Sequence, residues 1–295
     1  STREDVEREA RRLLFVADDR RNWDYPMEHR WGGWRADNPR LLRFFQEFFG
    51  YTNAEFVFKD IARNQHHRPR HLIRDADLLV LNTLRDDRDV LETLLTTDRY
   101  MVAYLPPQLV AGRLEQVNAD ALRHPDRDLA ATLAQGRTPI LGRYPGASIS
   151  SYNLDRETWD YPIDQPFQIE HRVGMLTHPA WLVAWSGNFD NDPIRRGKWI
   201  REHLLADVVP ELPIGVDAKL PEDAHRTLRQ RMEVTRAEEC WRCHRQMNPL
   251  GAAFEAYDDF GRHRDAILLG DVDTNGIVNF LDITPFIAIL SNQGS

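Results

Sequence analysis

The chain has 295 residues and a formal net charge of −8, with a sequence pI near 5.8. That length suits one large or two ordinary domains with sizeable cores. The acidic balance argues against a nucleic-acid partner, since phosphate binding calls for a concentrated basic face. The many arginines are interspersed with acids, which predicts a salt-bridged helical surface, and no apolar run reaches the ~18 residues that would suggest a membrane span.

The pattern along the chain is mainly helical. Asn38-Pro39 can cap and start a helix that runs through Leu41, Leu42, Phe44, Phe45, Phe48 and Phe49, with Gly50 placed to stop it. Phenylalanines at this spacing form a core stripe. Further helices are expected over Ala76 to Leu84 and over Asp87 to Tyr104, the latter closed by Pro106-Pro107. Residues 108 to 135 are again helix-like, and 136 to 168 are broken by repeated Gly and Pro into an irregular connection. His178-Pro179 opens a short apolar segment. Arg196 to Leu205 forms a helix, and a charged helix from about Glu222 to Ala237 leads into the cysteine-containing stretch. These breaks divide the chain into a helical domain (1–107), a helix with an irregular connection (108–168), a second helical domain (169–267) and a C-terminal repeat (268–295).

Cys240-Trp241-Arg242-Cys243-His244 holds the only two cysteines of the chain, with a histidine directly after the second. This is the CxxCH pattern of covalent c-type haem attachment. The thiols bond to the two haem vinyl groups, and the adjacent imidazole is the proximal iron ligand. Two readings compete. A redox disulfide would normally follow a strand in an alternating β/α pattern, which is absent. A structural zinc site would need a fourth ligand such as His225 or His263, yet the chain has no second CxxC.

The haem reading carries further expectations. Met247 lies too close in sequence to His244 to reach the opposite haem face, so it is assigned to packing. Met175 is the foremost candidate for a distal ligand, ahead of His178, Met232 and His263. Arg262 and Arg264 suit bidentate pairing with haem propionates, or else pair with Asp258, Asp259 or Asp265. Glu255 and Asp258 fall at helical i, i+3 spacing, but no catalytic pair is assigned to them. Haem attachment takes place outside the cytoplasm, so the chain is expected to be periplasmic or secreted. No signal pattern opens it, and a leader is expected to have been removed or to lie upstream.

Several ordered runs together resemble one family. They are Arg172 to Pro179, Asp192 to Trp199, Cys240 to His244, Met247 to Gly251, Phe254-Glu255 and Asp258 to Arg262. The family is the planctomycete group of large cytochrome-like multidomain proteins, whose helical domains are catalogued as domains of unknown function 1592 and 1588. Upstream, Phe44 to Tyr51, Val57 to Asp60 and Leu94 to Tyr100 resemble the preceding domain of that group, so the resemblance spans about residues 40 to 265. It implies a haem protein but assigns little activity. The sequence departs from the group's pattern in three ways. It has Asn248 where Asp is common and Thr235 where a histidine is frequent, and the group's further C-terminal domain is expected to be absent.

The C-terminus carries a separate signal. Asp271, Asp273, Asn275, Asn279 and Asp282 place oxygen side chains at positions 1, 3, 5, 9 and 12 of an EF-hand-like calcium loop. Gly276 stands at position 6, and Ile277 offers its carbonyl. The loop resembles a single dockerin-type repeat, which implies calcium and a cohesin-like or surface partner. The expected fold class is therefore mainly α, with irregular helical domains, a c-type-cytochrome-like haem segment and a small calcium loop. The expected function is electron transfer or a haem-dependent redox reaction with an unidentified redox partner protein. The alternative is a secreted scaffold with a structural Cys-Cys-His zinc site.

Overall fold

The computed structural model describes residues 2–15, 39–59, 67–103, 137–139, 149–154, 160–162, 165–188, 190–211, 220–221 and 228–264. The described chain is mostly helical. Helix α1 (Arg3–Phe15) packs on α2 (Pro39–Phe49). As expected from Pro39 and Gly50, α2 starts at the proline and stops where Gly50 turns left-handed at φ 66°. Its buried face is Leu42, Phe45 and Phe49. A 3₁₀ turn over Tyr51–Phe56 then leads towards α3 (Pro69–Asp86). This helix is longer than the apolar pattern suggested, because Pro69 supplies an N-terminal start signal well before Ala76.

The helix expected from Asp87 to Tyr104 is much shorter than its apolar periodicity indicated. Only α4 (Val90–Thr96) forms, and Thr97 is already extended. Strand β1 (Arg99–Tyr100) then pairs antiparallel with β4 (Phe167–Gln168). The non-local ladder outcompetes continued helix at two adjacent threonines, whose β-branching weakens helix propensity. The backbone N–H of Gly174 fixes the break by donating to the Thr97 carbonyl at 2.6 Å. Within the connection expected to be irregular, β2 (Arg137–Pro139) and β3 (Asp160–Pro162) form a second two-stranded ladder. The helix expected over residues 108 to 135 lies outside the described residues.

Two short helices form the centre of the core. Helix α5 (Pro179–Ala184) is capped by His178, whose Nδ1 accepts from the Ala180 N–H at 3.1 Å. Helix α6 (Pro193–His203) is capped by Asp192, which accepts from the Arg195 N–H at 3.0 Å. Trp181 and Trp199 are fully enclosed between them with ring centroids 5.5 Å apart, and Phe49 of α2 stacks on Trp199 at 5.8 Å. One hydrophobic cluster therefore draws on residues 42 to 103 and on residues 149 to 257 alike.

Two arginines depart from the expected salt-bridged surface. Arg196 is fully buried and makes no carboxylate contact within its hydrogen-bond set. Its Nε donates to the Trp185 carbonyl at 3.1 Å, Nη1 to Phe254 at 3.1 Å and Nη2 to Leu182 at 2.8 Å. Arg172 donates to the carbonyls of Thr177, Ser151 and Gly261 at 2.6 to 2.7 Å, and lies over the Tyr152 and Tyr257 rings. Each guanidinium satisfies carbonyls left over at short helices and turns, a function that its planar fork suits better than a lysine would. Lys59 forms a third buried tie. Its Nζ donates to Ser186 Oγ at 2.8 Å and lies 3.1 Å from Asp259 Oδ2.

Helix α7 (Leu228–Met232) continues as a 3₁₀ turn (Glu233–Arg236), and α8 (Glu238–Ala252) follows after a break at Ala237. The expected single helix ending at Ala237 is thus interrupted, and CxxCH lies within a separate helix. Helices α6 and α8 pack at backbone distance through two glycines. A Cβ on Gly197 would overlap the Met247 carbonyl, and one on Gly251 would overlap the Pro193 carbonyl.

Gly251→Ala is therefore expected to lower stability by at least ~2 kcal/mol, because the clash is with rigid backbone and the helices must separate. A thermal-melt comparison with the exposed-site variant Arg245→Ala, expected to be near neutral, checks it. A second prediction concerns pH. Burial, and then the Arg172 guanidinium, push the His178 imidazole down to about 3, whereas an unfolded histidine titrates near ~6.5. Its contribution is present above that value and is lost on acidification. Burial raises the Asp75 carboxyl to about 7, so its contribution has the opposite sign and is lost as pH rises. From about pH 7 to about pH 5, the urea midpoint of His178→Gln should fall less than that of the unmodified chain, or rise.

Candidate functional site

Helix α8 holds all three groups of the CxxCH motif. Spacings of three and four residues place Cys240, Cys243 and His244 along one face of its first two turns. Acidic Glu238 and Glu239 in the first turn favour the positive helix end. The Cys240 and Trp241 N–H groups donate to the Ala237 carbonyl at 2.9 and 2.8 Å, which fixes the helix start directly beside the motif. The glycine contact with α6 anchors the far end of α8, where Met247 is buried, in agreement with its packing role.

Both cysteines are free thiols of intermediate exposure, and Trp241 between them is exposed. A disulfide is thus absent from this pair. His244 is half-buried, with Nδ1 3.0 Å from Asn248 Oδ1. The Asn248 amide donates to Thr235 Oγ1 at 2.9 Å, and the Thr235 hydroxyl donates to the Met232 carbonyl at 2.7 Å. Nε2 is the ring nitrogen left for a metal. Sequence reading marked Asn248 and Thr235 as departures from a pattern but missed their partnership with His244. The i, i+4 spacing of His244 and Asn248 was the available signal.

Other candidate residues lie elsewhere. Met175 is fully buried in a 3₁₀ turn (Met175–Thr177) that packs on α4 and α5. His178 is enclosed with Tyr152, its Nε2 3.0 Å from the phenol oxygen, and Tyr152 donates to Asp75 Oδ2 at 3.3 Å. Met232 is buried at the end of α7. His263 stacks on His171 with centroids 4.2 Å apart. Arg262 donates from Nε to Asp258 Oδ2 at 2.7 Å, the carboxylate pairing considered beside the propionate one. Arg264 reaches the Tyr257 carbonyl at 3.5 Å. Glu255 is buried, and desolvation raises its carboxyl to about 7, whereas Asp258 is engaged with Arg262, so the two do not act as a pair.

Among the described residues, no group of three or more His, Cys, Asp or Glu side chains is arranged to hold a metal ion. A zinc site at Cys240, Cys243 and His244 would require such ligands to converge on one point. Haem attachment has no such requirement, since the thiols bond to porphyrin edges and only the imidazole meets the metal. The donor set on α8 therefore fits haem c. His225 and the calcium-loop residues Asp271, Asp273, Asn275, Ile277, Asn279 and Asp282 lie outside the described residues.

Residues 172–267 match the family model PSCyt3: Protein of unknown function (DUF1588). PSCyt3 is a planctomycete cytochrome-like family. No curated protein and no solved structure matches the chain. The PSCyt3 stretch contains the carbonyl-bound Arg172 and Arg196, both glycines of the α6–α8 contact and the whole CxxCH motif. Its ordered features are thus largely those that position α8. Among the described residues, no helix is long and apolar enough to cross a membrane.

The exposure of the motif leads to a direct expectation. In the haem-free chain, both thiols should be alkylated by iodoacetamide without denaturant, adding two carbamidomethyl groups by intact mass. Addition of none would show that the motif is covered or oxidised.

Proposed function

We propose that this chain is an extracytoplasmic c-type haem protein engaged in electron transfer or a haem-dependent redox reaction. Cys240 and Cys243 are its thioether anchors, and His244 Nε2 is its proximal ligand. The observation that carries this reading is the arrangement on α8: two free thiols and an imidazole on one helical face, with the imidazole's other nitrogen already held by Asn248. The PSCyt3 match over the same residues supports it. Bound haem would supply a one-electron iron couple whose potential responds to axial ligation, hydrogen bonding and burial.

The chain's own residues do the rest. The α6–α8 glycine contact holds the anchor helix, Asn248 orients the imidazole, and half-exposed thiols remain accessible to the attachment machinery. The resemblance of residues 40 to 100 to the preceding domain of the cytochrome-like group extends the proposal upstream. The loop at 271–282 adds calcium binding and a docking role through a cohesin-like or surface partner, both suited to a periplasmic or secreted setting.

Production of the chain with a full cytochrome c maturation system should yield protein heavier than its polypeptide by one haem. A Soret band should survive acid-acetone extraction, and the pyridine haemochrome should be of the c type. A mass equal to the bare polypeptide overturns the proposal. Cys240→Ala and Cys243→Ala together should abolish covalent retention, whereas His244→Ala should retain residual covalent haem with an altered spectrum.

A further inference from the structure

The hydrogen-bond chain running from His244 to Met232 has only one consistent direction. The Met232 carbonyl can only accept, so the single proton of the Thr235 hydroxyl points to it at 2.7 Å. The Thr235 oxygen then accepts from its other neighbour at 2.9 Å, which must be the NH₂ group of Asn248. That fixes the amide with its oxygen towards His244 Nδ1 at 3.0 Å. An amide oxygen only accepts, so Nδ1 carries the proton. In the neutral ring, the lone pair therefore lies on Nε2.

We propose that Thr235 and Asn248 are positioning residues for His244: together they fix its Nδ1–H tautomer and ring orientation, presenting Nε2 as the ligating atom. The inference rests on the haem reading only for what Nε2 meets. Thr235 is buried and sits in the 3₁₀ turn that ends beside the start of α8, so the relay ties the imidazole to the element preceding its own helix. Asn248 is also a neutral acceptor. A carboxylate at that place would pull harder on the Nδ1 proton and make Nε2 a stronger donor to iron.

The test uses the full chain, ¹⁵N-labelled at histidine and made in a host without haem ligation machinery, in mildly alkaline buffer. His244→Gln assigns the resonance. The unmodified chain should show His244 as the Nδ1–H tautomer. Thr235→Val, which keeps the shape and removes the hydroxyl, should shift it towards a mixture with Nε2–H, and Thr235→Ser should restore it. Near-ultraviolet circular dichroism of the Trp181 and Trp199 cluster confirms that each variant is folded. An Nε2–H tautomer in the unmodified chain, or one unchanged by Thr235→Val in folded protein, overturns the proposal. In haem-loaded protein, Asn248→Asp should lower the midpoint potential, and an unchanged potential overturns the tuning part. A chain that takes up no haem defeats the earlier reading, and the tautomer spectrum still decides this one.

Discussion

The burial of Arg196 is the constraint around which the rest of the described chain is arranged. A guanidinium removed from water is costly unless its donors are satisfied. Here they are directed at three carbonyls from two places in sequence, Leu182 and Trp185 around the end of α5 and Phe254 just past the end of α8. The side chain rises from α6, so one residue fixes three helices relative to one another. Charge-assisted hydrogen bonds of this kind contribute ~1.5 to 3 kcal/mol each. They also spend carbonyls that short helices leave without intrahelical partners. Arg172 repeats the arrangement at the other side of α5, joining the 149–153 turn, Thr177 and Gly261.

With these ties in place, the glycine contact between α6 and α8 becomes possible. Gly197 meets the Met247 carbonyl and Gly251 meets the Pro193 carbonyl, so each helix presents a glycine to the other's backbone. The half of α8 beyond Met247 is thereby immobilised against α6. The half bearing Cys240, Cys243 and His244 projects from that anchor with its thiols half-exposed. A rigid base with an accessible tip suits the covalent attachment proposed for these three side chains.

What the sequence revealed was largely local. Pro39 and Gly50 mark both ends of α2, and Asp192-Pro193 and His178-Pro179 mark the starts of two more helices, because capping chemistry is decided within a few residues. CxxCH was legible for the same reason. Failures came where distant partners decide. The apolar stripe after Asp87 promised a long helix, but pairing of Arg99 and Tyr100 with a strand nearly seventy residues later ended it. Arg172 and Arg196 look like surface charges in a window of mixed signs, and nothing local shows that their partners are carbonyls. Thr235 and Asn248 were each visible as a departure from the pattern of the cytochrome-like group. Only the fold shows that these two departures touch one another and His244.

Lys59 bears on how such chains are to be divided. Its ammonium lies 3.1 Å from the buried carboxylate of Asp259, a residue inside the PSCyt3 stretch, while Lys59 itself lies outside it. Phe45 and Phe49 likewise cover part of a core to which Trp181 and Trp199 belong. A fragment trimmed to residues 172–267 would lose the Lys59 ion pair of Asp259 and bare an aromatic wall to solvent. The boundary along which this stretch is recognised is therefore not a seam along which the molecule can be cut.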